Sequence, residues 1–594
     1  MCGIAGEVRF DGRRPDVDAV QRMTACLVHR GPDGEGLWEH GRVALGHRRL
    51  AIIDLSPGGA QPMVDDETRA TVVFNGCIYN YEALRDELRA AGHRFASTSD
   101  TEVVLKAWRE WGEDFVQHFR GMFALAIVEH DSGRVVLARD RLGIKPLYLD
   151  ERRDLLRFAS TPQALIAGGG VDTSLDRVGL AHYLSFHAVV PAPRTVLTGI
   201  RKLPPATVRV IEADGTSREH VYWAPSFTRD PARADWSEAD WQDALLEALR
   251  GAVHRRMVAD VPVGVLLSGG FDSSLVVALL AEAGQRGLAT FSIGFEDAGG
   301  ESGDEFAYSD LVADAFGTDH HRIPVATDRL PAAVDAAIGA MGEPMVSHDC
   351  VAFFLLAEQV ARSVKVVQSG QGADEVLGGY EWYPPLAGVD RGDAQDAYAA
   401  VFADRTPAGM AALLNPAWLH ADDPPGRFLD DRFAADGAET AVDAALRIDT
   451  TVMLVEDPVK RVDQMTMAWG LEARVPFLDH DFVELAAAVP PELKLADGGK
   501  GVLKRASRGL VPDAVLDRRK GHFPVPAIRQ LDGPLLARVR DALTDPAAVR
   551  RGLFRPDRIE RMLADPNAER TPLGSNALWQ LGLLELWLQR HSVG

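Results

Sequence analysis

Cysteine is scarce in this chain: four among 594 residues, Cys2, Cys26, Cys77 and Cys350. None forms a Cys-x-x-Cys pair, so neither a zinc ribbon nor a disulfide framework is suggested, and a reducing cytoplasm fits. No apolar run approaches the ~20 residues of a membrane span. The N-terminus carries no basic, apolar, small-residue signal pattern, so export is not expected. Positive charge is also short. With 64 Lys and Arg against 86 Asp and Glu, the formal net charge is -22. That balance argues against a nucleic-acid partner and against an anionic membrane surface.

The remaining composition, 46% hydrophobic and 25% charged, is ordinary for a globular protein. Single cores seldom grow past ~250–300 residues, so two or more domains are expected. The stretch that organises them is Val263 to Ser274. An apolar run ends in Ser268-Gly269-Gly270, and a helix-like segment, Leu275 to Leu280, follows. Strand, glycine turn and helix together aim backbone N–H groups at phosphate. The turn is not a Walker A loop, because no lysine sits where that loop needs one. A second apolar run, Val364 to Gln368, exits into Ser369-Gly370-Gln371-Gly372-Ala373-Asp374. Strands and helices alternate throughout this half, as in an open parallel sheet.

The first half starts Met1-Cys2-Gly3. If Met1 is removed, Cys2 becomes the terminal residue, and its α-amine, titrating near ~8, can take the thiol proton. The bland alternative is a chance cysteine beside a start codon. The following segments weigh against chance: the turn His29 to Gly34, Gly46 to Asp54 as a loop running into a short strand, the strand Val72-Val73-Phe74 with Asn75-Gly76 as its exit, and Asp100 ahead of the helical run from Val103. Taken blandly, Arg49 is a solvated surface arginine and Asp100 a helix cap.

This succession resembles the glutaminase domain of N-terminal-nucleophile (class II) amidotransferases, and the later loops look like the synthetase domain of glutamine-hydrolysing asparagine synthetases. The resemblance implies an N-terminal αββα sandwich over residues 1–225. An α/β parallel-sheet pyrophosphate-loop domain over 226–594 follows, with the boundary in the polar, non-periodic stretch from Ser226 to Trp236. It implies that Cys2 is the nucleophile and that Asn75 and Gly76 form the oxyanion hole. Arg49, Leu50, Ile52, Ile53, Cys77 and Asp100 surround glutamine, with Arg49 on its carboxylate and Asp100 on its α-amine. ATP falls to Leu267, Ser268, Gly269, Gly270, Asp272, Ser273, Ile293, Ser369 and Gly370, and Mg²⁺ to Asp272 and Asp374. Lys520 is offered for the departing pyrophosphate, and Arg474 as a structural or substrate-side cation. The implied partners are small molecules (glutamine, ATP and an acceptor carboxylate), and a homodimer is an allowed assembly.

Three positions depart from the family pattern. Cys77 stands where a glutamate usually helps hold the glutamine ammonium, so Asp100 carries more of that work or another group replaces the lost charge. Gln371 replaces the glutamate of Ser-Gly-Glu-Gly, and Gln464 a later lysine or arginine. Neutral amides suit peptide groups better than the charges of free aspartate. Gln371, Gln464 and Lys520 are therefore the acceptor-site candidates. The opening Gly6 to Gly12, Asn75 to Asn80, His187 to Arg194 and Ser369 to Gly372 resemble N-acetylglutaminylglutamine amidotransferases, which make an osmolyte dipeptide. Two readings compete: asparagine synthesis from aspartate, and a glutaminase carrying a non-catalytic nucleotide-binding module.

Overall fold

The computed structural model describes residues 2–297, 303–518, 521 and 529–594. The N-terminal half folds as two six-stranded antiparallel sheets face to face. In spatial order the first runs Arg201–Lys202, Tyr148–Glu151, Leu155–Ala159, Gly3–Arg9, Val43–Arg49 and Gly34–His40. The second runs Ser217–Val221, Thr207–Ile211, Val135–Arg139, Gly121–Glu129, Ala70–Ile78 and Met63–Asp65. Alternate apolar residues such as Ile4, Val8, Leu45, Val73, Ala126, Leu137 and Phe158 fill the space between them, as the period of two along a strand requires. Helices Val17–Cys26 and Pro162–Gly168 cover the first sheet, and Tyr81–Ala90 and Asp100–Trp111 the second. The four αββα layers are thus present.

Two local expectations are reversed. Residues 43–54 run strand first and loop second: Val43–Arg49 is extended and the loop begins after it. Polar His47 is tolerated there because the ring is wholly buried and its Nε2 meets Phe74 O at 3.3 Å. Asn75-Gly76 is no strand exit either, since the strand continues to Ile78. A Cβ on Gly76 would lie 2.3 Å from Met122 O, so the glycine lets the neighbouring backbone approach rather than turning the chain.

The C-terminal half is built on a five-stranded, all-parallel sheet: Asp319–Val325, Ala289–Phe295, Val263–Leu266, Val366–Gln368 and Glu472–Arg474 in spatial order. From Val263–Leu266 the chain moves to one side for two strands. It then crosses back to Val366–Gln368 on the other side. The crevice at the carboxyl ends of these two strands is where α/β sheets take ligands. Helix Glu238–Arg255 leads in, with a capping box closed by Ser237 and Asp240. The closing helix Ala577–Arg590 is buried along most of its length, which makes Trp579 and Trp587 core residues. Among the described residues no helix is long and apolar enough to cross a membrane.

The halves meet through buried charge. Asp463, on helix Lys460–Met467, accepts from Arg30 Nη1 and Lys145 Nζ, both at 3.0 Å. Lys202 Nζ bridges Glu456 at 2.5 Å and Glu343 at 3.2 Å.

Candidate functional site

Two sites emerge. The first is a tight pocket at the seam of the N-terminal domain, lined by Cys2, Arg49, Leu50, Ile52, Ile53, Gly76, Cys77 and Asp100 among others. The Cys2 N–H donates to Asn75 Oδ1 at 3.0 Å. Asn75 Nδ2 is buried and has no hydrogen-bond partner among the described residues. A buried amide donor left unpaired beside a thiol needs a reason, and an oxyanion would supply one. Burial pushes the Cys2 thiol above its ordinary value, against a hydrogen bond from Leu50. The thiol therefore needs a base to deprotonate it.

Arg49 closes the opposite end. Its Nη1 donates to Ser56 O at 2.9 Å and its Nη2 to Asp54 O, so the guanidinium is fixed before any ligand arrives. Asp100 is not the helix cap; Ser99 is, through Thr101 N. Asp100 stands in the first turn, and its Oδ2 accepts from Ile78 N–H at 3.1 Å. Burial raises its pKa to about 6; the Ile78 bond opposes this, and nearby Glu472 adds to it. Gln61, Phe74, Ser99, Thr101 and Glu472 also line the pocket and were not read from sequence. Gln61 is a fastener: its Oε1 accepts from Phe74 N at 2.6 Å and its Nε2 donates to Thr101 Oγ1 at 3.2 Å.

The second site, a larger cleft, lies at the parallel-sheet crevice. Leu267, Ser268, Gly270, Asp272, Ser273, Ile293, Ser369, Gly370, Gln371 and Asp374 line it together. Gly269 lies behind the lining. Its φ of +75° and its approach to the Ser309 backbone admit no side chain. The Ser268 and Ser273 hydroxyls, 3.1 Å apart, knit the loop, and helix Phe271–Glu282 starts at Gly270 without a side-chain cap. That leaves its first-turn N–H groups turned toward the cleft.

Asp272 and Asp374 converge on one cation. Lys500 Nζ lies 2.6 Å from Asp272 Oδ2 and 2.8 Å from Asp374 Oδ1. Lys500 was not read from sequence; the signal was a lysine closing the Gly498-Gly499 turn before helix Gly501–Ala506. Gln464 is not part of this lining. Its Oε1 accepts from Gly342 N–H at 2.7 Å, and it borders a small void between the domains beside Asp463 and Glu456. Arg474 is wholly buried in the last strand of the sheet, paired to Glu472. Lys520 lies outside the described residues.

Residues 1–223 match the glutamine amidotransferase domain family and residues 244–589 the asparagine synthase family. Asparagine synthetase [glutamine-hydrolyzing] 1 of Bacillus subtilis is 30% identical, the alignment covering 100% of this chain and 97% of that protein. Asparagine synthetase [glutamine-hydrolyzing] 3 of the same organism is 32% identical over 88% of this chain and 87% of its own length. An amidase of Gibberella zeae is 26% identical, with 92% of each chain covered. With both halves matched and relatives aligned over nearly their whole length, the chain belongs to the glutamine-hydrolysing asparagine synthetase family.

Proposed function

We propose that the chain hydrolyses glutamine at Cys2, activates an acceptor carboxylate with ATP at the parallel-sheet cleft, and joins the released ammonia to it. The acceptor we assign is N-acetylglutaminylglutamine. The observation that carries the two-site reading is the pairing of the Cys2–Asn75 pocket with a second cleft in which two carboxylates, Asp272 and Asp374, meet at the glycine-rich loops. Once Met1 is gone, the Cys2 amine takes the thiol proton while Asn75 Oδ1 holds that amine in place. The thiolate attacks the glutamine amide. Asn75 Nδ2 and the Gly76 N–H receive the oxyanion, and Arg49 and Asp100 grip the charged ends of the amino acid. Ammonia leaves, and water releases glutamate from the thioester.

In the cleft the Ser268–Ser274 loop and the following helix start cradle the phosphates. The acceptor carboxylate displaces pyrophosphate to form an acyl-adenylate, and ammonia then displaces AMP. Asp272 and Asp374 fit Mg²⁺: both are carboxylates, they already share a cation in Lys500, and oxygen ligands completed by phosphates are what Mg²⁺ prefers. When bound, the metal would neutralise phosphate charge. Lys500 holds the two carboxylates together at the same point.

Support for a peptide-like acceptor comes from Gln371, an uncharged amide in the cleft lining. Gln464 gives it no direct contact, because it lies outside the cleft lining, with its Oε1 held by the Gly342 N–H. Aspartate is the second reading, favoured by the names of the Bacillus relatives. A panel of acceptors with glutamine and Mg-ATP, read by mass spectrometry for amide and by pyrophosphate release, tests this. The acetylated dipeptide is expected to drive AMP formation far better than aspartate. A clear aspartate preference overturns the acceptor, and no acceptor-dependent pyrophosphate overturns the synthetase half.

A further inference from the structure

One wall of the Cys2 pocket is not supplied by the N-terminal domain. Among the described residues lining the pocket, Glu472 is the one that comes from the C-terminal half. It is 1% exposed and opens the edge strand Glu472–Arg474. Arg474 Nε donates to Glu472 Oε1 at 2.6 Å. The guanidinium is itself anchored, donating through Nη1 to Arg256 O at 2.8 Å and Val258 O at 2.7 Å. The carboxylate is thus aimed by a fixed partner. Its field reaches the chemistry, raising the pKa of both Cys2 and Asp100. Burial acts to raise the Glu472 pKa, but Arg474 and the other cations around it, Lys145 among them, together outweigh burial and hold the group at about 2, so it stays ionised.

Across the seam stands Cys77, a buried neutral thiol with Sγ 3.7 Å from Arg474 Nη2. An α-ammonium brings three N–H donors into a pocket with little water. There Asp100 already spends one oxygen on the Ile78 N–H. Building on the glutamine-hydrolysing reading above, we infer that Glu472 supplies the second carboxylate for the α-ammonium of glutamine, so that the hydrolytic pocket is completed by the synthetase domain. Glutamine is then gripped across the seam, with Arg49 and Asp100 on one side and Glu472 on the other.

Three further hydrogen bonds make the grip a coupling. The loop behind Arg49 is pinned to the C-terminal half, with Asp54 N donating to Asp260 Oδ2 at 2.7 Å and Asp260 N to Ile52 O at 2.8 Å. The strand that carries Glu472 also touches the nucleotide loop, where the Ser369 N–H donates to Arg474 O at 2.8 Å. Three residues therefore join the glutamine pocket to the cleft.

The test is Glu472→Gln in the full chain, which keeps the shape and removes the charge. Glutamate release against glutamine concentration is measured beside ammonia-driven pyrophosphate release. We expect KM for glutamine to rise about tenfold or more, the scale of a hydrogen bond to a charged group, with kcat changed far less. Adding Cys77→Glu to that variant returns a carboxylate from the other side of the seam and should recover KM. An unchanged KM overturns the inference. So does a parallel fall in kcat and ammonia-driven synthesis that Cys77→Glu does not rescue, because Glu472 would then only brace Arg474. A wild-type chain that releases no glutamate overturns the hydrolytic reading itself, and this inference with it.

Discussion

In the proposed glutamine pocket, Asp100 is where a single proton would decide substrate binding. Its carboxyl is raised to about 6, first by burial and further by Glu472, against the Ile78 N–H that steadies the anion. The folded state therefore holds this proton more tightly than an unfolded chain, whose aspartates titrate near ~4. Stability drawn from Asp100 is full below that lower value and is lost as pH rises through about 6. In the proposed binding mode glutamine reverses the balance, because its ammonium would bind the anion. KM for glutamine should be flat above neutrality and climb about tenfold per pH unit below about 6. Calorimetric titration of a Cys2→Ala chain in two buffers near that pH should show proton release on binding. Asp100→Asn should abolish the pH dependence while raising KM throughout. A profile in Asp100→Asn that still breaks near 6 would assign the proton elsewhere. Glu472 does not confuse the result, since Arg474 keeps it ionised across this range.

At the scale of elements, strand Ala70–Ile78 holds the proposed oxyanion donors in register, pairing Gly76 with Phe123. Gly76→Ala would bring a Cβ to 2.3 Å from Met122 O and 2.8 Å from Phe123 Cα. The strands would have to part, turning the Gly76 N–H out of line. We expect glutaminase kcat to fall by about 10²–10³, the cost of one oxyanion donor. Ammonia-driven pyrophosphate release, which uses the other cleft, should persist. Equal loss of both would point to global misfolding instead. The same strand shows how far sequence carries. Asn-Gly is a strong turn signal, and only the neighbouring strand's close approach, invisible locally, overrides it. The loops after Val263–Leu266 and Val366–Gln368 were legible because an apolar run, a glycine turn and a helix sit together in sequence. Strand Glu472–Arg474 was not: three residues, two of them charged, acquire their strand character from pairing with Val366–Gln368. Glu472 reaches a pocket whose other residues lie more than 370 positions earlier, so no local pattern could announce it.

At the scale of the whole molecule, charges are buried where the halves meet. Asp463 is 3% exposed and is shared by Arg30 and Lys145, at 1% and 0%. Arg30 Nε also donates to Cys2 O at 3.2 Å, so the residue that ties the domains also steadies the backbone of the proposed nucleophile. Lys145 is presented by a loop wrapped around Asp140, whose carboxylate accepts from the N–H groups of Phe123, Leu142, Ile144 and Lys145. Such a cluster contributes little net stability as a set, because desolvation offsets attraction, but breaking it leaves stranded charge. Asp463→Ala should therefore cost about 3–5 kcal/mol in urea unfolding, since two buried cations lose their shared anion. It should also slow glutamine hydrolysis more than ammonia-driven synthesis, through Arg30 and Cys2. Replacing all three with apolar residues (Arg30→Met, Lys145→Met, Asp463→Leu) should cost less than Asp463→Ala alone, although the Arg30 hold on Cys2 is still lost. The triple variant would thus recover stability without recovering hydrolysis. If it proves less stable than the single one, the cluster is a net source of cohesion, and the halves are held by electrostatics rather than by the apolar packing around it.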